Sequence, residues 1–218
     1  MKKVVVLHTS MVSFDLLNSL FKEIIPEVQV MNIVDEDLLD TLNRNRGITK
    51  SIIKRVCQYA IEAEAAGADL LFSQCSSTSE GVDCARKMIN IPFIKIDEAM
   101  AEKAVSIGTK IGVVATAVAT LVPTEANIRT AAAQAGKKVK ITKYLADGAL
   151  DILMKENNRE KHDVLVLDLI RKAEQENDVI VLAQGSMVTI LPYLKDTNVP
   201  VLTSPRLGVE KARKVLGF

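Results

Sequence analysis

Asp69-Leu-Leu-Phe-Ser-Gln-Cys75-Ser-Ser-Thr78 and Asp178-Val-Ile-Val-Leu-Ala-Gln184-Gly-Ser-Met187 are two versions of one segment. Each opens on an aspartate, passes through a short apolar run and breaks into small polar residues. Aligning Asp69 with Asp178 sets Cys75 opposite Gln184, Ser76 opposite Gly185 and Ser77 opposite Ser186. The echo extends outward. Ile91-Pro92-Phe93-Ile94 answers Val199-Pro200-Val201-Leu202, and Glu102-Lys103-Ala104 answers Glu210-Lys211-Ala212. Upstream, Val4-Val5-Val6-Leu7-His8-Thr9 answers Gly112-Val113-Val114-Ala115-Thr116. The chain therefore reads as an internal duplication in which only one copy keeps a thiol.

The segments around this pair decide the fold class. Short β-branched runs occur at 4–7, 28–33, 70–73, 93–96, 111–115, 139–143, 179–183 and 201–203. Several show little alternation, as expected of strands buried on both faces of a parallel sheet. Helical spacing lies between them. Phe14, Leu17, Leu20, Phe21 and Ile24 share one face of a helix over 13–25, and Ile52, Val56, Tyr59, Ala60 and Ala63 one face of a helix over 48–66. Further helices fit 80–90, 99–107, 124–136, 159–176 and 208–216, with Gly67 and Gly136 placed for left-handed C-caps. Gly47, in Asn43-Arg44-Asn45-Arg46-Gly47, marks a polar loop, read as a flap. Alternating β and α elements predict right-handed βαβ units, hence an α/β protein of two α/β/α domains with parallel sheets. The expected domains are 1–97 plus a C-terminal helix over about 206–218, and 98–205. The helices near Ala99 and Gly208 are expected to cross over between halves.

Bulk properties exclude several functions. A net charge of +1 with no basic block gives no grounds for nucleic acid or an anionic membrane. Aromatic residues, at 4%, are too few for base-stacking surfaces. No apolar run approaches the ~20 residues of a membrane span. Met1-Lys2-Lys3-Val4 leads directly into a core-like strand, without the apolar stretch of a secretory signal. Three cysteines, at 57, 75 and 84, have no metal-binding spacing and suit a reduced, cytoplasmic protein. No glycine-rich nucleotide fingerprint is present, so no nucleotide cofactor is expected.

In open α/β sheets ligands bind at the carboxyl ends of strands. The polar clusters His8-Thr9-Ser10, Cys75-Ser76-Ser77-Thr78, Thr116 to Thr120 and Gln184-Gly185-Ser186 all fall there. Ser77 and Glu80 have capping-box spacing, so a helix is expected to start just after Cys75. Helix N-termini attract anions, and two of them would clamp a small carboxylate. A thiol so placed can act as base or nucleophile, although a cysteine after a strand is also commonly a small buried hydrophobe. Cys57 and Cys84 fall in helices and read as structural. His8 reads either as an acid–base partner or as a satisfied polar residue at a strand end. His162, in Arg159-Glu-Lys-His-Asp163, reads as solvated. Thr116 and Thr120 read as hydroxyl donors to substrate oxygens or as helix caps.

At these residues the chain resembles the aspartate/glutamate/hydantoin racemase superfamily over nearly its whole length. Cys75-Ser76-Ser77 resembles the family's Cys-Asn-Thr motif. Val114-Ala115-Thr116-Ala-Val-Ala119-Thr120 is similar to Leu-Ala-Thr-x-x-Thr, and Leu182-Ala183-Gln184-Gly185-Ser186-Met187 to Leu-Gly-Cys-Ala-Gly-Met. The resemblance implies two Rossmann-like domains related by a pseudo-twofold, an active site between them, no cofactor and no metal, and possible homo-oligomers. It implies Cys75 as the acid/base on a small carboxylate substrate such as an amino acid, a hydroxy acid or a hydantoin-like compound. Thr9, Ser10, Ser76, Ser77, Thr116, Thr120, Gly185 and Ser186 would hold substrate oxygens.

Family racemases use two cysteines, and Gln184 stands in place of the second. Glutamine takes no proton near neutrality. Three readings follow. One is a racemase in which Cys75 works with His8 or water. The second is a single-cysteine decarboxylase or cis-trans isomerase, with Gln184 a positioning group. The third is a carboxylate binder without turnover. Arg44, Arg46 and Arg206 are the cations that could reach a second carboxylate from loops.

Overall fold

Val4, Val5, Val6 and Leu7 are all buried, which is what places this run at the centre of a sheet covered on both faces. The computed structural model describes residues 1–218, apart from the side chain of Met154. The chain divides into two units, Met1–Ile96 with Pro205–Phe218, and Asp97–Ser204.

In the first unit, β1 (Lys2–His8) pairs in parallel with β2 (Val28–Val34) on one side and β3 (Leu70–Ser73) on the other. β4 (Phe93–Lys95) pairs with β3, giving the order β2-β1-β3-β4. Alternate residues of β1 serve opposite layers. Val4 and Val6 pack with Leu17 and Phe21 of α1 (Phe14–Ile24) and with Val209 and Ala212 of α9 (Ser204–Val215). Val5 and Leu7 pack with Ile52, Val56 and Ala60 of α3 (Lys50–Ala65). Phe21 and Phe72 meet edge to face at 5.4 Å.

The second unit repeats the plan. β5 (Lys110–Ala115) lies between β6 (Lys140–Leu145) and β7 (Val179–Leu182), with β8 (Val201–Leu202) beyond, all parallel, in the order β6-β5-β7-β8. Its helices are α5 (Glu98–Ile107), α6 (Val118–Gln134), α7 (Ala149–Lys155) and α8 (Arg159–Ala173). Val166 and Ile170 of α8 pack on Val114, Ile180 and Leu182. The duplication is visible in matching bonds. Lys3 donates its N–H to Asp69 at 2.7 Å, and Lys110 donates its N–H to Asp178 at 2.8 Å. α5 follows β4 and lies in the second unit, and α9 follows β8 and lies largely in the first.

All eight expected strands form. Gly67 (φ 78°) and Gly136 (φ 63°) adopt the left-handed conformation their cap positions require. Several helices depart from expectation. α2 (Asp37–Asn45) occupies most of the stretch read as a polar loop, because Leu38 and Leu42 bury into the core; the loop begins at Arg46 (φ 54°). α6 starts at Val118 rather than 124 and runs through Pro123, held by burial of Leu121, Thr124 and Ile128. α4 (Ser79–Ala85) stops short of residue 90, and α7 was not foreseen. His162 is buried rather than solvated, with its Nδ1 2.7 Å from the Asp163 carboxylate. Among the described residues no helix is long and apolar enough to cross a membrane.

Candidate active site

Cys75 stands two residues beyond the end of β3 and is half-buried, with extended backbone (φ −114°, ψ 119°). The chain then turns through a 3-10 segment, Ser76–Thr78, into α4. The hydroxyl-rich sequence braces this turn. Thr78 Oγ1 donates to the Cys75 carbonyl at 2.8 Å and lies 3.1 Å from Ser73 Oγ, while Ser79 Oγ donates to the Ser76 carbonyl at 2.6 Å. The expected capping box is not formed. Thr78, not Ser77, is the cap residue of α4, and it makes no side-chain cap bond because its hydroxyl is turned back to Cys75.

Thr9 lies beside Cys75's strand end. Its N–H donates to Gln74 Oε1 at 3.2 Å, and the Gln74 N–H donates to the Leu7 carbonyl at 3.0 Å. Thr9 is buried and Ser10 half-buried. Gln74 was missed in the sequence. The signal was available, since a glutamine stands beside the cysteine in one repeat and in its place in the other.

His8 ends β1, fully enclosed on the α1 side, its ring 5.1 Å from that of Phe14. Its Nε2 bonds Asn32 Oδ1 at 2.8 Å, and Asn32 Nδ2 donates to Asn18 Oδ1 at 3.1 Å. This run of bonds requires the Nε2–H tautomer and leaves Nδ1 as a buried acceptor with no partner among the described residues. Burial pushes the imidazole pKa down against the raising effect of Asn32.

In the second unit, Gln184 follows β7 with nearly the backbone of Cys75 (φ −120°, ψ 133°) and leads into a 3-10 segment, Gly185–Tyr193. The turns match: the Met187 N–H donates to the Gln184 carbonyl at 3.0 Å, as Thr78 N–H does to Cys75 at 3.3 Å. The Gln184 side chain is fastened at both ends to one residue. Its Oε1 accepts from the Thr116 N–H at 3.0 Å, and its Nε2 donates to Thr116 Oγ1 at 2.6 Å. Thr116, at the end of β5, is buried. Thr120 Oγ1 caps the Ala117 carbonyl at 2.8 Å, and Gly185 and Ser186 are half-buried.

The structure thus gathers Thr9, Gln74 and Cys75 at the carboxyl edge of one sheet, and Thr116 and Gln184 at that of the other. Two of the candidate cations are engaged elsewhere. Arg206 Nη2 donates to both Glu23 oxygens at 2.9 Å, and Arg44 meets Asp37 at 3.1 Å. Among the described residues no cluster of His, Cys, Asp or Glu is arranged to hold a metal ion.

A family model described as Asp/Glu/Hydantoin racemase matches residues 8–212. The chain belongs to the Asp/Glu/hydantoin racemase family. No curated protein matches it significantly in sequence. Solved racemase structures share its fold. Aspartate racemase from Picrophilus torridus superposes with a TM-score of 0.71 at 15% identity, covering 100% of this chain and 95% of that one. Allantoin racemase from Klebsiella pneumoniae gives 0.68 at 18%, covering 100% and 89%. Glutamate racemase from Francisella tularensis, solved with D-glutamate, gives 0.73 at 11%, covering 99% and 81%. These racemase-family neighbours are isomerases, and the chain is an enzyme of that family.

Proposed function

We propose that this racemase-family enzyme moves the α-proton of a small carboxylate, an amino acid, hydroxy acid or hydantoin-like compound, with Cys75 as the acid/base. The observation that carries this reading is the placement of Cys75. It stands half-buried at the carboxyl edge of β3, its turn held by Thr78, and Cys75-Ser76-Ser77 resembles the family's Cys-Asn-Thr motif. Its thiolate takes the α-hydrogen as a proton, the C–H electron pair passes into an enediolate, and the thiol returns a proton to carbon. N–H groups of Ser76 and Ser77, with Thr9 and Ser10, hold substrate oxygens at this edge. The three free cysteines suit a reducing cytoplasm.

A second reading, decarboxylation of a substituted malonate, is favoured by Gln184, because protonating a decarboxylation product needs one thiol rather than two. Both are tested by incubating the protein in D₂O with amino acids, hydroxy acids, hydantoins and substituted malonates, followed by NMR. Cys75→Ala is expected to lower α-deuteration by about 10²–10⁴-fold, the usual contribution of a general acid/base. Exchange that survives in Cys75→Ala would refute the role of Cys75. Loss of CO₂ from a malonate, dependent on Cys75, would select the second reading.

A further inference from the structure

Each sheet ends its central ladder in the same irregular rung, and in each a glutamine side chain makes it. In the first unit Leu7 pairs with Ser73, and the Leu7 carbonyl accepts the Gln74 N–H at 3.0 Å. A regular parallel ladder would next send the Thr9 N–H to the Gln74 backbone carbonyl. It goes instead to Gln74 Oε1, at 3.2 Å. In the second unit Val114 pairs with Leu182, and the Val114 carbonyl accepts the Ala183 N–H at 2.9 Å. The Thr116 N–H, due at the Ala183 carbonyl, goes to Gln184 Oε1 at 3.0 Å.

The side-chain rung answers a local conflict. At this point the backbone after β3 or β7 leaves its sheet for a 3-10 turn. A carbonyl that leaves with it would strand the N–H of a buried threonine, which is costly. The two repeats supply the replacement acceptor from different positions. In the second it comes from residue 184, the turn position itself. In the first it comes one residue earlier, from 74, and residue 75 is released to carry a thiol.

Gln74 thereby grips β1 twice, through its own N–H on Leu7 and through its side chain on Thr9. Its peptide bond leads straight into Cys75. On the other side of the thiol, the Thr78 hydroxyl and N–H both bond the Cys75 carbonyl, at 2.8 and 3.3 Å. Cys75 is fixed from both directions, and Gln74 is the half of that hold that reaches another strand.

We infer that Gln74 is a positioning residue for Cys75: its side chain locks the end of β3 to Thr9 and so fixes the thiol and the Thr9–Ser10 loop at one sheet edge. Its effect on turnover rests on the proton-transfer reading above; its hold on the thiol does not.

The test uses the full chain and Gln74→Met, which keeps the length of the side chain and lacks the acceptor. NMR reads hydrogen exchange at the Thr9 N–H, mass spectrometry reads alkylation of Cys75 by iodoacetamide, and α-deuteration of the compounds named above gives kcat and KM. Gln74→Met is expected to exchange the Thr9 N–H at least about tenfold faster, as a local bond is lost. Alkylation of Cys75 should rise at least about threefold with Cys57 unchanged, because the turn around a half-buried thiol is loosened. With an active compound, kcat should fall at least about tenfold and KM stay within about threefold, the mark of a misplaced reacting group rather than a lost substrate contact. Gln74→Glu keeps the acceptor. It is expected to restore Thr9 protection and, on the alkaline plateau where its added charge no longer sets the thiolate fraction, kcat to within about threefold of the parent. Should Gln74→Met fail to fold, Gln74→Asn, one methylene shorter, makes the same comparison. Alkylation and kcat unchanged in the variant, or KM raised with alkylation unchanged, would overturn the positioning role. Absence of Cys75-dependent exchange with every compound would overturn the proton-transfer reading alone, and the alkylation rates would still decide Gln74.

Discussion

Cysteine and glutamine occupy the same backbone position in the two repeats, and proton chemistry is what separates them. Cys75 carries a thiol; Gln184 carries an amide, which takes no proton near neutrality. A matched backbone therefore presents a thiol at one sheet edge and an amide fastened to Thr116 at the other. His8 shows a different residue-scale constraint. Its ring is held neutral by burial, so its folded pKa lies below the ordinary value of 6.5. The sign follows from linkage: the unfolded chain takes up the proton first, so the stability from a neutral His8 is present above pH 6.5 and is lost as pH falls toward the folded value. Urea unfolding between about pH 5 and 8 should show stability declining on the acid side, with the decline reduced in His8→Gln. An unchanged slope in the variant would mean that the ring is not protected from protonation. The sequence alone could not choose between an acid–base role and a satisfied strand-end histidine, because Asn32, which takes its Nε2–H, lies on another strand.

At the scale of elements, α9 closes the first unit. Its Val209 and Ala212 complete the cluster that holds Val4, Val6 and Phe72. The approach is close at Gly208, where a Cβ would stand 2.6 Å from the Ile96 carbonyl oxygen and 2.9 Å from Phe72 Cζ. The carbonyl belongs to the backbone and cannot swing aside. Gly208→Ala is therefore expected to destabilise the protein by about 1–3 kcal/mol, the usual cost of overpacking, as read from the midpoint of urea unfolding. A neutral result would show that α9 can shift outward freely. The same element scale explains which helices were legible. α1 and α3 place their apolar residues at regular intervals, so their periodicity can be read directly. α2 is only nine residues long and holds itself down with Leu38 and Leu42, too few for a period to emerge against a polar background. α6 conceals its first two turns behind Pro123, a residue that ordinarily argues for a later start.

At the scale of the whole molecule, the chain passes from the first unit to the second at Ile96–Asp97 and back at Ser204–Pro205. The second unit is thus one continuous segment with its own four-stranded sheet and core, whereas the first needs both ends of the chain. A fragment of residues 97–204 is expected to fold alone, with helical circular dichroism and a cooperative melt. Residues 1–96 lack Val209, Ala212 and Leu216, and leave Phe72, Ile94 and Ile96 uncovered. That fragment is expected to remain unfolded unless 205–218 is restored; cooperative melting of 1–96 by itself would contradict the closing role of α9. The sequence by itself determined the duplication, the eight strands, the parallel α/β class and the loss of one thiol. Those features are written in local runs and in a repeat whose register is carried by residue type. Only the tertiary structure decided that Gln74 and Gln184 bind equivalent backbone N–H groups, that His8 and His162 are enclosed, and that Thr78 braces Cys75 in place of a capping box. Each of these depends on where a side chain points after the strands have paired or the turn has closed, and hydrogen-bond partners brought together in that way leave no periodic trace in the chain.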